Sequence, residues 1–174
     1  MDPEVPAANN LPPAVANLPP GWRFRPSDEQ LLDMLTKKRL QQEVDHRIPE
    51  VRDFYLQTPE ELTAGYADML GLGEDEWYFF TPWAYEEENP PLLADEFWKQ
   101  RGNTKTVRVR AGSTYYGFKK TLVLIRNGIK TAWRLDEYNA APPLAAAAVP
   151  PNDQEWYLCR VYNKRAGPLQ ASYN

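Results

Sequence analysis

Two long runs rich in β-branched and aromatic residues, YYGFKKTLVLI (115–125) and IKTAWRLDEY (129–138), are joined by Arg126-Asn127-Gly128. Asn-Gly supplies the positive φ angles of a tight hairpin turn, so the two runs are expected to pair as antiparallel neighbours. Three more runs of the same texture follow Gly73: EWYFF (76–80), TKTVRVR (104–110) and EWYLCRVY (155–162). Before Gly73 the signals are helical. Ser27, three residues ahead of Gln30, has the spacing of a capping box, and Leu31, Leu32, Met34 and Leu35 form one apolar stripe. Lys37, Lys38 and Arg39 suit the negative end of the helix dipole, and the spacing predicts a helix over 28–40. Thr58 as cap, Pro59 at the first position and Glu60 and Glu61 in the first turn predict a second helix over 59–69, stopped by the glycines at 71–73. Helix followed by sheet makes the expected class α+β.

The remaining segments are polar, proline-rich or alanine-rich. Residues 1–17 are expected to be a flexible tail, with order beginning near LPPGWRF, and NAAPPLAAAAVPPN (139–152) a surface loop ahead of the last strand. The 174 residues suffice for one domain with a real core. No apolar run approaches the length of a membrane span, and the start has no signal-peptide pattern, so the chain is expected to stay inside the cell. One cysteine, Cys159, excludes an internal disulfide, and with one histidine, His46, it leaves no clustered zinc site. Phosphate-loop, dinucleotide, nucleophile-elbow and zincin motifs are all missing, and the GEDE and YEEEN runs lack the spacing of a calcium loop. No enzyme activity, metal or cofactor is expected.

What stands out is the distribution of charge. From Trp98 to Arg134 there are ten basic residues and no acid, while the rest of the chain nets −14, ten basic against 24 acidic. Such a segment repels itself unless an anionic partner or an acidic surface faces it. Alternation along TKTVRVR puts Val107 and Val109 on one side with Lys105, and Thr104, Thr106, Arg108 and Arg110 on the other. Gly102 permits a sharp bend that would lift Lys99, Arg101 and Asn103 away from the sheet, where a β element can read a nucleic-acid groove.

Taken in order, LPPGWRFRPSDEQLL, EWYFFTP, FWKQRGNTKTV, YGFKKTLVLI, IKTAWRLDEY and EWYLCRVYNK resemble the successive blocks of the NAC domain of plant transcription factors, over about 18–165. The resemblance implies a twisted antiparallel sheet packed between a few helices, an N-terminal arm that forms a homodimer or a heterodimer with related proteins, a nuclear location, and double-stranded DNA as partner. It also implies that an edge strand enters the major groove. The family's WKATGxDK motif falls on Trp98, Lys99, Gln100, Arg101, Gly102, Asn103, Thr104 and Lys105; Trp98, Lys99, Gly102 and Lys105 match, and the other four depart. By the same resemblance Lys119 and Lys120 would touch phosphate, and Arg108, Arg110 and Lys130 complete the expected DNA-binding set. In the arm, Leu18, Pro19, Gly21, Arg23 and Phe24 fit the family, with Gln30 where the acidic partner of the arginine usually stands.

Two departures favour an alternative. Glu86, Glu87 and Glu88 stand where the family usually has a basic loop, and they would repel phosphate if they lay near the duplex. The groove motif also departs from the family's at Gln100, Arg101, Asn103 and Thr104. Both fit a dimerisation module that binds DNA poorly and modulates related transcription factors.

Overall fold

The computed structural model describes residues 25–44, 48–66, 76–86, 95–108, 116–140 and 155–164. Helix α1 (Asp28–Arg39) starts at the expected cap: the Ser27 hydroxyl accepts from Gln30 N–H at 3.2 Å, and the Gln30 carbonyl oxygen accepts from Ser27 N–H at 2.8 Å. Two of the four unpaired N–H groups at a helix start are thereby satisfied locally. Helix α2 (Pro59–Gly65) repeats the device with Thr58 and Glu61. It is preceded by a 3-10 turn over Phe54–Leu56.

Among the described residues six strands follow: β1 (Glu76–Thr81), β2 (Glu96–Gln100), β3 (Lys105–Arg108), β4 (Tyr116–Arg126), β5 (Ile129–Ala140) and β6 (Tyr157–Asn163). All pair antiparallel in the order β1-β6-β5-β4-β2, and β3 pairs with β4 as well. The β4–β5 hairpin turns at Asn127 (φ 53°) and Gly128 (φ 73°), as the Asn-Gly pair requires.

Helices cover both faces. On one, Leu31, Leu32 and Leu35 of α1, none with any exposed area, pack on Tyr78, Phe80, Tyr138 and Leu158. Gly117 of β4 lets α1 approach: a Cβ there would lie 2.5 Å from a Leu32 methyl and 2.6 Å from the Asn139 carbonyl oxygen. On the other face, Phe54, Tyr55 and Leu62 pack on Phe79, Trp98, Leu122, Leu124, Leu135, Cys159 and Val161. This is the α+β arrangement expected, a sheet between helices. Cys159 is a buried free thiol, its pKa pushed well up by burial.

One strand and two boundaries depart most from the sequence reading. EFWKQ, which carries no long apolar run, is nevertheless a strand, because β4 is eleven residues long and offers an edge that β2 and β3 share. β5 extends through Asn139 and Ala140, which pair with Phe118 and Gly117, so the Ala/Pro-rich loop does not begin at 139. The last strand covers 157–163 rather than 155–162. The flexible tail at 1–17, the end of the second helix beyond Tyr66, His46, Val109 and most of the 139–152 loop lie outside the described residues.

Candidate nucleic-acid interface

The edge beyond β4 is built from two short strands with a detour between them. β2 ends with Gln100 opposite Leu122, and β3 begins with Lys105 opposite Lys119. Only Lys120 and Thr121 separate those partners on β4, whereas Arg101, Gly102, Asn103 and Thr104 separate them on the edge. Two residues too many must bow out of the sheet, as in an enlarged β-bulge. Arg101 N–H still donates to Thr121 O at 2.7 Å, so the detour begins immediately after it. Gly102 then takes φ +74°, a conformation that costs an L side chain about 1–2 kcal/mol. No atom would meet a Cβ there within 4 Å, so backbone conformation and not crowding calls for glycine.

The detour is held in shape. The Gln100 side-chain amide donates to Gly102 O at 3.3 Å and to Thr104 Oγ1 at 3.1 Å. Beneath it, Trp98 is 1% exposed in the core, and its N–H donates to the Tyr85 hydroxyl at 2.8 Å. Strand alternation therefore turns Lys99 outward. Lys99 and every residue from Arg101 to Thr106 are exposed, as is Arg108; Arg110 lies outside the described residues. Val107 packs against the α1 face as alternation implied, with Lys105 sharing its side of the strand.

The two lysines of β4 are differently placed. Lys119 is turned inward: its Nζ lies 3.2 Å from Asp28 Oδ2 and 3.9 Å from Asp136 Oδ2, and its side chain is 17% exposed. Tyr138 donates a further hydrogen bond to Asp28. Burial would raise the Asp28 carboxyl, but the Tyr138 bond and the Lys119 charge outweigh it and hold the group below its ordinary value. Lys120, half-buried, stands opposite Glu137 and lines a shallow cleft with Thr104, Phe118 and Tyr157. Burial raises the Glu137 carboxyl against hydrogen bonds from the Tyr55 hydroxyl and Tyr85 N–H. Lys130 is exposed at the start of β5.

Among the arm residues only Gln30 is described; Leu18, Pro19, Gly21, Arg23 and Phe24 lie outside. The Gln30 carbonyl oxygen, the acceptor that an arginine would need, already serves the α1 cap. Of the three glutamates, Glu86 is described and exposed. It follows directly after Tyr85, whose ring lies in the core and whose hydroxyl accepts from the Trp98 backbone N–H; Glu87 and Glu88 lie outside the described residues. Sequence reasoning missed Arg134 and Lys164. Strand register puts both on the side of the sheet that carries Lys99, a signal that appears only once the pairing is known.

A family model described as "No apical meristem (NAM) protein" matches residues 19–140, and curated plant proteins match over most of the chain. The chain belongs to the NAM, or NAC-domain, family. It is 35% identical over 164 residues to "NAC domain-containing protein 68" of Oryza sativa subsp. japonica, covering 87% of this chain and 50% of that protein. It is 35% identical over 165 residues to "NAC domain-containing protein 2" of Solanum lycopersicum, 86% and 56%. To "NAC transcription factor 56" of Arabidopsis thaliana it is 34% identical over 172 residues, 88% and 46%. The chain thus spans about half the length of the curated relatives it matches. In this NAC domain the WKATGxDK block maps onto the end of β2, the detour and the first residue of β3.

Proposed function

We propose that this NAC domain binds double-stranded DNA in a sequence-dependent way, with the detour from Gly102 to Thr104 and the flanking Lys99, Arg101 and Lys105 entering the major groove. The observation that carries the reading is an exposed, preorganised projection at a sheet edge, rich in cations and amide groups. Among the described residues no acid pairs with Lys99, Arg101, Lys105 or Arg108. Asn103 and Arg101 can address base edges, while Lys105, Arg108, Lys120 and Lys130 supply phosphate contacts. Arg110, outside the described residues, is proposed as a further phosphate contact. Lys119 can contribute only by giving up Asp28 and Asp136, which makes it the weakest member of the set.

The protein acts in the nucleus as a transcription factor and as a dimer formed through Leu18, Pro19, Gly21, Arg23 and Phe24. Gln30 joins that interface: its side-chain oxygen accepts Ser27 N–H in the helix cap and keeps a second lone pair for an arginine. Fluorescence anisotropy over a salt series tests the reading, using a randomised duplex pool and a duplex carrying a CGT-type core. Salt-sensitive binding with preference for the core, weakened by Lys99→Ala and Arg101→Ala, is expected. Unchanged binding in both variants would refute it.

A second reading is favoured by the inward capture of Lys119 and by the exposed Glu86, next in the chain to the Tyr85 that binds Trp98. Both lower affinity for phosphate, and they suit a module that pairs with longer relatives and binds DNA poorly alone. Tight binding by the isolated homodimer would remove that alternative.

A further inference from the structure

Arg134 is the anomaly of the sheet. It is 5% exposed, yet no acid pairs with it among the described residues, and its Nε is buried without a hydrogen-bond partner. One guanidinium nitrogen, Nη1, is anchored by the carbonyls of Thr131 at 2.7 Å and Trp133 at 2.9 Å. The acids on this side are used elsewhere. Asp136 accepts from Thr121 at 2.8 Å and from Arg160 Nε at 3.0 Å, and Glu76 accepts from the Tyr78 hydroxyl at 2.9 Å.

Cations, not acids, surround Arg134. In register, Lys99 stands opposite Val123, Val123 opposite Arg134, and Arg134 opposite Tyr162, one row across four strands. Lys164 N–H donates to Ala132 O at 3.1 Å, which sets Lys164 beside the small Ala132, between Lys130 and Arg134 of β5. Arg101 closes the group from the far side, tied to Thr121 of β4. Burial and then the charge of Arg101 push Arg134 below its ordinary pKa; burial and then Arg134, Arg101 and Lys130 do the same to Lys164. Cations held together with no counter-charge cost stability, and an anion seated among them relieves that cost.

We propose that Arg134 and Lys164, with Lys130 beside them and Arg101 between them and the groove, form an oxyanion site that takes a DNA backbone phosphate beside the groove-entering detour. The inference rests on the DNA-binding reading above and deepens it. Lys99 and Arg134 lie two strand spacings apart, about 10 Å, roughly three nucleotides of rise along one DNA strand. One strand of the duplex can therefore run from the detour across the sheet to this site. Such a contact adds affinity without sequence choice.

The test compares wild type, Lys164→Gln and Arg134→Gln in the anisotropy salt series, with thermal melting by circular dichroism to show that each variant is folded. Lys164 is exposed, so its variant remains informative if Arg134→Gln fails to fold. Each is expected to lower the salt slope by about 0.9 and to weaken core and random duplexes by the same factor, and Lys164→Arg is expected to restore the slope. Wild-type slopes in folded Lys164→Gln overturn the inference and leave the groove reading standing. If wild type binds no duplex, the groove reading falls, and titration with inorganic pyrophosphate, followed by the NMR signals of the Arg134 Nε–H group and the Lys164 amide, decides this site. A saturable shift that Lys164→Gln abolishes keeps it, and no shift removes it.

Discussion

Gly102 and Asp28 show how single residues divide the labour. Replacing Gly102 with alanine leaves every cation in place but opposes the +74° φ on which the detour turns. The expected result is a several-fold loss of duplex affinity with an unchanged salt slope, read by anisotropy, because shape is lost and phosphate contacts are not. Asp28 belongs to stability. Its carboxyl is held below the ordinary 3.8, so as pH falls the unfolded chain takes up the proton before the folded one does. The stabilisation from Asp28 is therefore complete above about pH 5 and is lost as pH falls through 3.8 and below. Urea unfolding midpoints between pH 3 and 7 should decline toward acid in the wild type, and Asp28→Asn should flatten that decline. The role of Asp28 was not legible in the sequence: its partners Lys119 and Tyr138 lie 91 and 110 residues away, and nothing local to DEQLL announces them.

Among the elements, what could be read depended on how local the deciding contacts are. Both helix starts were legible, because a capping box is written within four residues and satisfied within them. The hairpin was legible for the same reason. β2 was not, since Glu96, Lys99 and Gln100 interrupt its apolar pattern and its hydrogen bonds come from an edge of β4 twenty or more residues on. The packing of α1 on the sheet depends on Gly117. Gly117→Ala would press a methyl onto the Asn139 carbonyl oxygen, a backbone atom that cannot rotate away, and should destabilise the fold by about 1–3 kcal/mol in urea unfolding. On the opposite face Arg126 joins α2 to the edge strand: it makes two 2.9 Å hydrogen bonds to Glu60 and one to Glu96. Arg126→Gln should cost about 1 kcal/mol, since the pairs are partly exposed. It should leave duplex binding unaffected, because this cation is already neutralised inside the protein.

At the scale of the whole molecule, the segregated charge noted in the sequence resolves into two populations. Lys119 and Arg126 are drawn into ion pairs, whereas Lys99, Arg101, Lys105, Arg108 and Lys130 remain exposed without acidic partners among the described residues. If about five phosphates are neutralised per chain, log affinity should fall with log salt at a slope of about −4 per chain. A slope shallower than about −2 would mean that few of these cations reach the duplex. The sequence exposed the basic segment but could not sort it, because that sorting is done by Asp28, Glu60, Glu96 and Asp136, all outside the segment, two of them far from it in the chain and two just beyond its ends. The detour between β2 and β3 has a further consequence. Both strands are clamped to β4 independently, at Leu122 and at Lys119, so the residues between them carry no part of the core. Their identity and number can drift while the scaffold stays fixed, and one framework can thus carry many alternative reading heads.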